Sequence, residues 1–337
     1  MSAYVPLLRR AIAGDDLSEP EAAGLVGAAM DGSFTQVQVA GILVAIAVKG
    51  EAVGEIVGAA RAMRERSLHV EHGLDTVLDI VGTGGDGANT INISTMAALC
   101  VAAAGIPVAK HGNRAASSVC GSADVLEAAG LPLDVPPDTA AAMLRGAGFT
   151  FMFAPRYHPA MKNVAPVRRE LGVRTIFNVL GPLANPARAT HQVVGVSRES
   201  LLETVGDVLR ALGVRRGAVV HASNGLDEVA GDAPTHVYSF DENGARRWLL
   251  DPASLGIATP LSEIVADSVD GCKEAFFSIL GGERSRRADV VALNAAVALY
   301  TAGFETRLED ALERARSVLA SGASLDTFQR AKEFAHV

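Results

Sequence analysis

Aromatic residues are scarce in this chain: Phe, Trp and Tyr make up 5% of its 337 residues, and Trp248 is the only tryptophan. Few rings are therefore available as stacking platforms for bases. Positive charge is also short. Thirty Lys and Arg face 38 Asp and Glu, a formal net charge of −8, which disfavours non-specific binding of nucleic acid. Cysteine is limited to Cys100, Cys120 and Cys272, scattered with no C-x-x-C, a usage that suits a reducing compartment. No long hydrophobic run occurs. The longest apolar stretch, Met96 to Ala109, is rich in alanine and well short of the roughly 20 residues of a membrane span. The N-terminal segment carries Arg9, Arg10, Asp15 and Asp16 in place of a signal-type apolar core. No internal repeat is found. A soluble cytoplasmic protein without nucleic-acid or membrane partners is expected.

What is present is glycine, concentrated at one junction. Residues 77–95 read V-L-D-I-V, then G-T-G-G-D-G, then A-N-T-I-N-I-S-T. A short apolar strand meets Gly82, Gly84, Gly85 and Gly87, which lack the Cβ atoms that would hold an anion away from backbone N–H groups. Ser94 and Thr95 follow at a helix start, ahead of the alanine-rich run from Met96. This arrangement predicts a phosphate cradle. Gly82, Gly84 and Gly87 also spell G-x-G-x-x-G, but a dinucleotide fold needs the helix to open on the glycines and an acidic residue about 20 positions on. Here several residues intervene, and the next strand delivers Lys110 and His111 instead. No G-K-[ST] follows, so a P-loop is excluded.

Residues 1–70 read as helices without strands. Ser18-Glu19-Pro20-Glu21 forms a capping box, opening a helix to about Asp31-Gly32. Another starts near Thr35 with the stripe Val39, Ile42, Leu43, Ile46 and Ala47; Gly50 interrupts, and Val53, Ile56, Val57, Ala60 and Met63 continue at helical spacing. From Val77, strands at 77–81, 106–109, 150–153, 191–196 and 217–221 alternate with helices at 94–104, 122–129, 138–147 and 199–213. Such alternation predicts an α/β fold whose mainly parallel sheet is covered on both faces. Residues 236–250 read as a hairpin about Glu242-Asn243-Gly244, and helices are expected again at 288–300 and 308–319. The division expected is a small helical domain, 1–72, with helical segments near 160–186 packing on it, and a larger α/β domain, 73–337. Dimerisation through the helical domain would cover its apolar surface.

Three further constellations stand out. Lys110 to Ser118, K-H-G-N-R-A-A-S-S, is a dense donor set suited to phosphate, or else a solvated basic turn. Asp227-Glu228 follows the strand Ala218–His221, where two hard oxygen donors suit Mg²⁺ held with substrate phosphates; acidic residues in a helix's first turn are the alternative. His158-Pro159 and Arg168-Arg169 flank a helix leading to T-I-F-N-V-L-G-P-L-A-N-P at 175–186. There Asn178, Gly181, Pro182, Asn185 and Pro186 read as a rigid, pocket-lining turn, and Arg168 alone reads as a solvated face residue.

Taken together, G-T-G-G-D at 82–86, N-I-S-T at 92–95, K-H-G-N-R-A-A-S-S at 110–118, G-S-A-D-V-L-E at 121–127, H-P-A-M-K at 158–162, V-R-R-E-L-G-V-R-T-I-F-N-V-L-G-P-L-A-N-P at 167–186 and G-L-D-E at 225–228 closely resemble the anthranilate phosphoribosyltransferase family. The resemblance runs in register from the N-terminal helices to about residue 300. It implies a helical domain, an α/β domain and a cleft between them, a homodimer, and transfer of the phosphoribosyl group of phosphoribosyl pyrophosphate (PRPP) to the amine of anthranilate in tryptophan biosynthesis. By motif, Gly82, Gly85, Asp86, Thr90, Asn92, Ile93, Ser94 and Thr95 would hold PRPP. Lys110, His111, Gly112, Asn113, Arg114, Ala115, Ala116, Ser117, Ser118 and Ser122 would close over its phosphates. Ser94, Asp227 and Glu228 would ligate two Mg²⁺, and Lys110, Asp227 and Glu228 would carry the catalysis. Gly82, Asn113, His158, Arg168 and Pro182 would meet anthranilate, and His111 or His158 would take the late proton. Ala115-Ala116 and Ala184 are mild departures that remove no ligand, although Ala184 bears on the acceptor pocket.

Two rivals are weaker. A nucleoside phosphorylase of the same fold would be expected to carry an extra C-terminal domain, for which the chain lacks room. A non-catalytic binding protein does not account for the phosphate, metal and acceptor residues together with a charge of −8.

Overall fold

The computed structural model describes residues 4–115 and 118–336. Four helices come first: Tyr4–Ile12, Glu19–Met30, Gln36–Lys49 and Val53–Glu65. The second starts where Glu21 turns back to accept the Ser18 N–H at 2.8 Å. At the third, Thr35 and Gln38 cap each other, with the Thr35 N–H donating to Gln38 Oε1 at 2.9 Å and the Gln38 N–H to Thr35 Oγ1 at 3.3 Å. Each cap satisfies donors that a helix start otherwise leaves open.

Seven strands then form one sheet: β1 Leu78–Gly82, β2 Val108–Gly112, β3 Phe149–Phe153, β4 His191–Gly195, β5 Arg216–Ala222, β6 Thr235–Asp241 and β7 Gly244–Leu250, in the order β3-β2-β1-β4-β5-β6-β7. β1 to β5 are mutually parallel; β6 and β7 are the expected hairpin and run antiparallel. Both faces are covered, as continuous apolar strands require. On one face Leu78 and Ile80 pack beneath Ile93–Ala103 and Arg286–Thr301. On the other, Val194, Val196 and Val219 share a core with Leu202, Val205 and Leu209 and with Ile56, Val57 and Met63 of the N-terminal helices. Each such fully buried aliphatic side chain contributes about 1.5–3 kcal/mol. The N-terminal helices thus have no core of their own, because Val164, Val167, Ile176 and Phe177 complete it.

Three elements differ from the sequence reading. The segment 178–186 is not a turn throughout: Phe177–Leu183 is a helix with Pro182 inside its last turn. Asn178 Oδ1 accepts the Thr175 N–H at 2.9 Å and stabilises the helix start. A proline so close to the end removes little of the ladder. Helices Val269–Leu280 and Ala323–Ala335 also form in stretches where no element was expected.

β1 lies between β2 and β4. The chain runs outward from β1 to β3 and then returns past β1 to β4 and β5. Loops leaving the carboxyl ends of β1 and β4 therefore diverge, and the crevice between them is where open α/β sheets bind ligands.

Candidate active site

The crevice holds a very close approach. A Cβ on Gly195 would lie 1.5 Å from the Asp227 carbonyl oxygen, and one on Gly82 2.4 Å from Asp227 Oδ2. Only glycine at the ends of β4 and β1 lets the post-β5 loop lie across both strands. Asp227 Oδ2 then accepts the Gly84 N–H at 2.6 Å, and Glu228 Oε1 accepts the Ser94 N–H at 3.0 Å. The acidic pair lies in a loop, not in a helix's first turn, and ties the glycine loop to the start of Ile93–Ala103.

The carboxyls are poorly compensated. Burial, with the Asp86 charge adding to it, pushes Asp227 up to about 6. Burial and the charge of Asp227 push Glu228 up to about 8. Glu228 Oε2 is enclosed and has no hydrogen-bond partner. An orphaned carboxylate oxygen beside a second carboxylate and the Ser94 hydroxyl suits a divalent cation. Among the described residues no group of three or more His, Cys, Asp or Glu could hold a metal, so a cation here would take further ligands from substrate.

Lys110 is buried in the wall between β1 and β2, donating to the Ile80 carbonyl and, at 3.3 Å, to Ser94 Oγ. Burial lowers its ammonium below the ordinary value, while Asp79, Glu228 and Asp227 draw it back. His111 Nδ1 lies 3.1 Å from the Gly181 carbonyl. That oxygen can only accept, so Nδ1 carries the proton and Nε2 presents its lone pair. The His158 ring centroid is 5.0 Å away. Burial pushes His111 down to about 4 and His158 down to about 3, so both are neutral near pH 7.

The β2 loop is organised by Asp124, which accepts the Ala115 and Gly121 N–H groups, both at 2.9 Å. Arg114 pairs with Asp124 at 3.0 Å and with Glu127 at 2.7 Å. The guanidinium expected to close over phosphates is thus committed to the helix Ser122–Ala128 here. Asn113 Oδ1 accepts the Arg114 N–H at 2.8 Å, and Ser122 Oγ donates to the Asn113 carbonyl at 3.3 Å. Asp86 Oδ1 accepts the Ala88 N–H at 3.1 Å, and Asn92 Nδ2 donates to the Cys120 carbonyl at 3.0 Å. Ala116 and Ser117 lie outside the described residues.

These groups share one cleft of about 850 Å³. Its wall includes Gly82, Gly85, Asp86, Thr90, Asn92, Ser94, Thr95, Lys110 to Ala115, Ser118, Ser122, Asp227 and Glu228, and also His158, Arg168 and Pro182. Ile93 is the exception: its side chain is fully buried in the core and does not line the cleft. Arg168 is half-buried, its guanidinium carbon 5.4 Å from the centroid of the Phe177 ring, and burial lowers its pKa. Among the described residues it has no carboxylate partner. It is a cation facing the cleft rather than a solvated helix residue.

Sequence reasoning assigned no role to Arg174, Thr83, Phe177, Met63 or Met161, which also line the cleft. Arg174 donates to the Gly85 carbonyl at 3.2 Å and to Ser197 Oγ at 3.0 Å. Its position in R-T-I-F-N and that of Thr83 in G-T-G-G-D were the polar signals; Phe177, Met63 and Met161 read as core because they also pack into it.

Comparison with known proteins agrees with this geometry. Residues 74–325 match the α/β domain of a glycosyl transferase family and residues 5–67 its helical bundle domain. The anthranilate phosphoribosyltransferase of Thermomicrobium roseum is 47% identical over 331 residues, 97% of this chain and 95% of that one. The crystal structure of the Thermus thermophilus anthranilate phosphoribosyltransferase has a TM-score of 0.93 at 43% identity, covering 98% of this chain and 99% of that chain. The Saccharomyces cerevisiae enzyme in complex with PRPP and Mg has a TM-score of 0.90 at 25% identity, covering 99% and 98%.

Proposed function

The chain belongs to the anthranilate phosphoribosyltransferases, and from that premise we propose how its cleft is divided between two substrates. The reaction transfers the phosphoribosyl group of PRPP to the amine of anthranilate, releasing pyrophosphate, in tryptophan biosynthesis. Magnesium accompanies PRPP in the yeast relative.

In our reading PRPP occupies the side built from the glycine loop and the β2 loop: Gly82, Gly85, Asp86, Thr90, Asn92, Ser94, Thr95, Lys110 to Ala115, Ser118 and Ser122; Ala116 and Ser117 are assigned to it on the sequence motif alone. The Ile93 side chain takes no part; the main chain there only carries Ser94 into place. Anthranilate occupies the opposite side, with its carboxylate on Arg168 and its ring among His158, Pro182, Gly82 and Asn113. The observation that carries this division is Arg168, a half-buried guanidinium beside the Phe177 ring that lines the same cleft as the carboxylates Asp227 and Glu228. A cation there serves an anionic acceptor, and the poorly compensated carboxylates of Asp227 and Glu228 serve a metal-bound diphosphate.

Two Mg²⁺ ions, held by Ser94, Asp227 and Glu228 with PRPP oxygens, would neutralise the diphosphate and make it a better leaving group. Lys110 and the N–H groups of the glycine loop stabilise charge that grows as the C1–O bond breaks. Asp227, Glu228 and Lys110 thus act on the leaving group. The aromatic amine is largely unprotonated at neutral pH, so attack needs positioning more than prior deprotonation. His111 Nε2 or the His158 ring, neutral and close to the acceptor side, takes the late proton; unchanged turnover with both replaced by Ala would remove that role.

A homodimer and a cytoplasmic location complete the reading. Val37, Val44 and Val48 leave an apolar stripe exposed on Gln36–Lys49, joined by Val5 and Ile12 of the first helix. A second copy of the chain covering that stripe accounts for it. All three cysteines are free, as suits a reducing compartment, and no helix among the described residues is long and apolar enough to cross a membrane. The direct test follows anthranilate fluorescence on addition of PRPP. Loss of signal that requires both PRPP and Mg²⁺ is expected; a constant signal under all conditions would overturn the assignment.

A further inference from the structure

Between β1 and β2 the sheet comes apart. β1 pairs with β4 at five positions and β2 with β3 at five, but β1 and β2 are in register only at Leu78↔Val108. Beyond that point the groups that a parallel ladder would have joined are satisfied by side chains. The His111 N–H donates to Asp79 Oδ1 at 3.3 Å. Asn185 Nδ2 bridges Asp79 Oδ2 at 2.7 Å and the Ala109 carbonyl at 2.8 Å. Asn185 is itself fixed, its Oδ1 accepting the Ala187 N–H at 2.9 Å. The freed Ile80 carbonyl is taken by the Lys110 ammonium.

An aspartate is out of place there by ordinary rules. Asp79 is fully buried in a central parallel strand, where an apolar residue would avoid the desolvation of a carboxylate. Burial pushes it up to about 6, against the pull of Lys110, Asn185 and the His111 N–H. Asp79 does not line the cleft, so it does not meet substrate. Two of its partners do lead there: His111, engaged by hydrogen bond, and Lys110, engaged by charge, both line the cleft.

We propose that Asp79 is a positioning residue for the transfer reaction: with Asn185 it wedges β1 and β2 apart and so sets Lys110 and His111 at the cleft wall. The inference rests on the reading above that Lys110 meets the diphosphate. A closed ladder would bond the Ile80 carbonyl to β2 and leave Lys110 without its seat between the strands. A displacement of reacting groups by about 1 Å can cost about a hundredfold.

Steady-state kinetics on the whole enzyme test this, with Asp79→Asn, Asn185→Ala and Lys110→Met measured beside the parent and the thermal midpoint recorded for each. In Asp79→Asn an amide donor replaces the carboxylate oxygen that faces Asn185 Nδ2, and the wedge loses its charge. The expected result is a rise in the KM for PRPP of about tenfold or more, with the KM for anthranilate changed about twofold or less. A general loss of structure would lower kcat and leave no such split. Should Asp79→Asn fail to fold, Asn185→Ala carries the same expectation. An unchanged KM for PRPP in a folded wedge variant overturns the positioning role. If Lys110→Met also leaves that KM unchanged, the diphosphate role of Lys110 fails and the inference falls with it; if Lys110→Met raises it, only the role of Asp79 fails.

Discussion

The two walls of the cleft are made in different ways. The wall proposed for PRPP is mostly main chain and short side chains delivered by two consecutive strand-to-helix loops, with Asp227 and Glu228 added from the loop after β5. The acceptor wall is assembled from side chains on separate helical pieces: His158 ahead of a single turn at 159–163, Arg168 on Ala165–Leu171, and Phe177 and Pro182 on Phe177–Leu183. Those pieces belong to the core of the N-terminal helices. A strongly charged, variably solvated diphosphate needs many fixed dipoles, whereas a small aromatic acid needs one cation and a shaped apolar wall. The wall proposed for PRPP therefore draws on many groups, and the wall proposed for anthranilate depends on a few side chains.

The contrast can be broken most severely at the carboxylates. Asp227→Asn combined with Glu228→Gln should lower kcat by about a hundredfold to a thousandfold and shift the Mg²⁺ dependence to higher concentration, read from initial rates at varied Mg²⁺. Equal, small effects on every parameter would remove the metal from this wall.

The buried imidazoles sharpen it in a second way. A histidine whose folded pKa lies below its unfolded value adds stability that is fully present above the unfolded pKa, near 6.5, and is lost as pH falls. With His111 pushed down to about 4 and His158 to about 3, thermal midpoints should fall on acidification from pH 6.5 toward pH 4. His158→Asn should reduce that fall by a few degrees. An identical pH profile in the variant would mean that His158 titrates normally.

The smallest effect is expected far from the cleft. Val37→Glu with Val48→Glu should yield monomers by sedimentation while kcat/KM stays within about twofold, since both residues are highly exposed and a surface charge costs little within the fold. A dimer that survives both charges would place the interface elsewhere.

The same contrast decides what could be read from the sequence. β1 to β5, the hairpin and the capped helices were legible because strand alternation, Ser18 and Thr35 caps and turn residues are local signals. The residues proposed for PRPP could be picked out because they fall in two short stretches, 82–95 and 110–122. The resemblance named Arg168, but nothing local distinguished it from a solvated arginine until Phe177 was seen beneath it. Asp79 gave no signal, and Asn185 was read as part of a pocket-lining turn, whereas it is fully buried and does not line the cleft; both acquire their meaning only once β1 and β2 are seen to separate. Helical segments were expected near 160–186, but Gly181 and Pro182 argued for a turn at 178–186, where the helix Phe177–Leu183 runs instead. Ile93 was carried with its motif although its side chain faces the core.

The division of the cleft is tested most directly by initial rates of Arg168→Ala over a matrix of both substrates, followed by anthranilate fluorescence. A lost charge-assisted contact of about 1.5–3 kcal/mol corresponds to about 10–150-fold. The KM for anthranilate should rise by that order while the KM for PRPP stays within about twofold of the parent. Equal shifts in both constants, or a shift in the KM for PRPP alone, would contradict two walls with separate substrates.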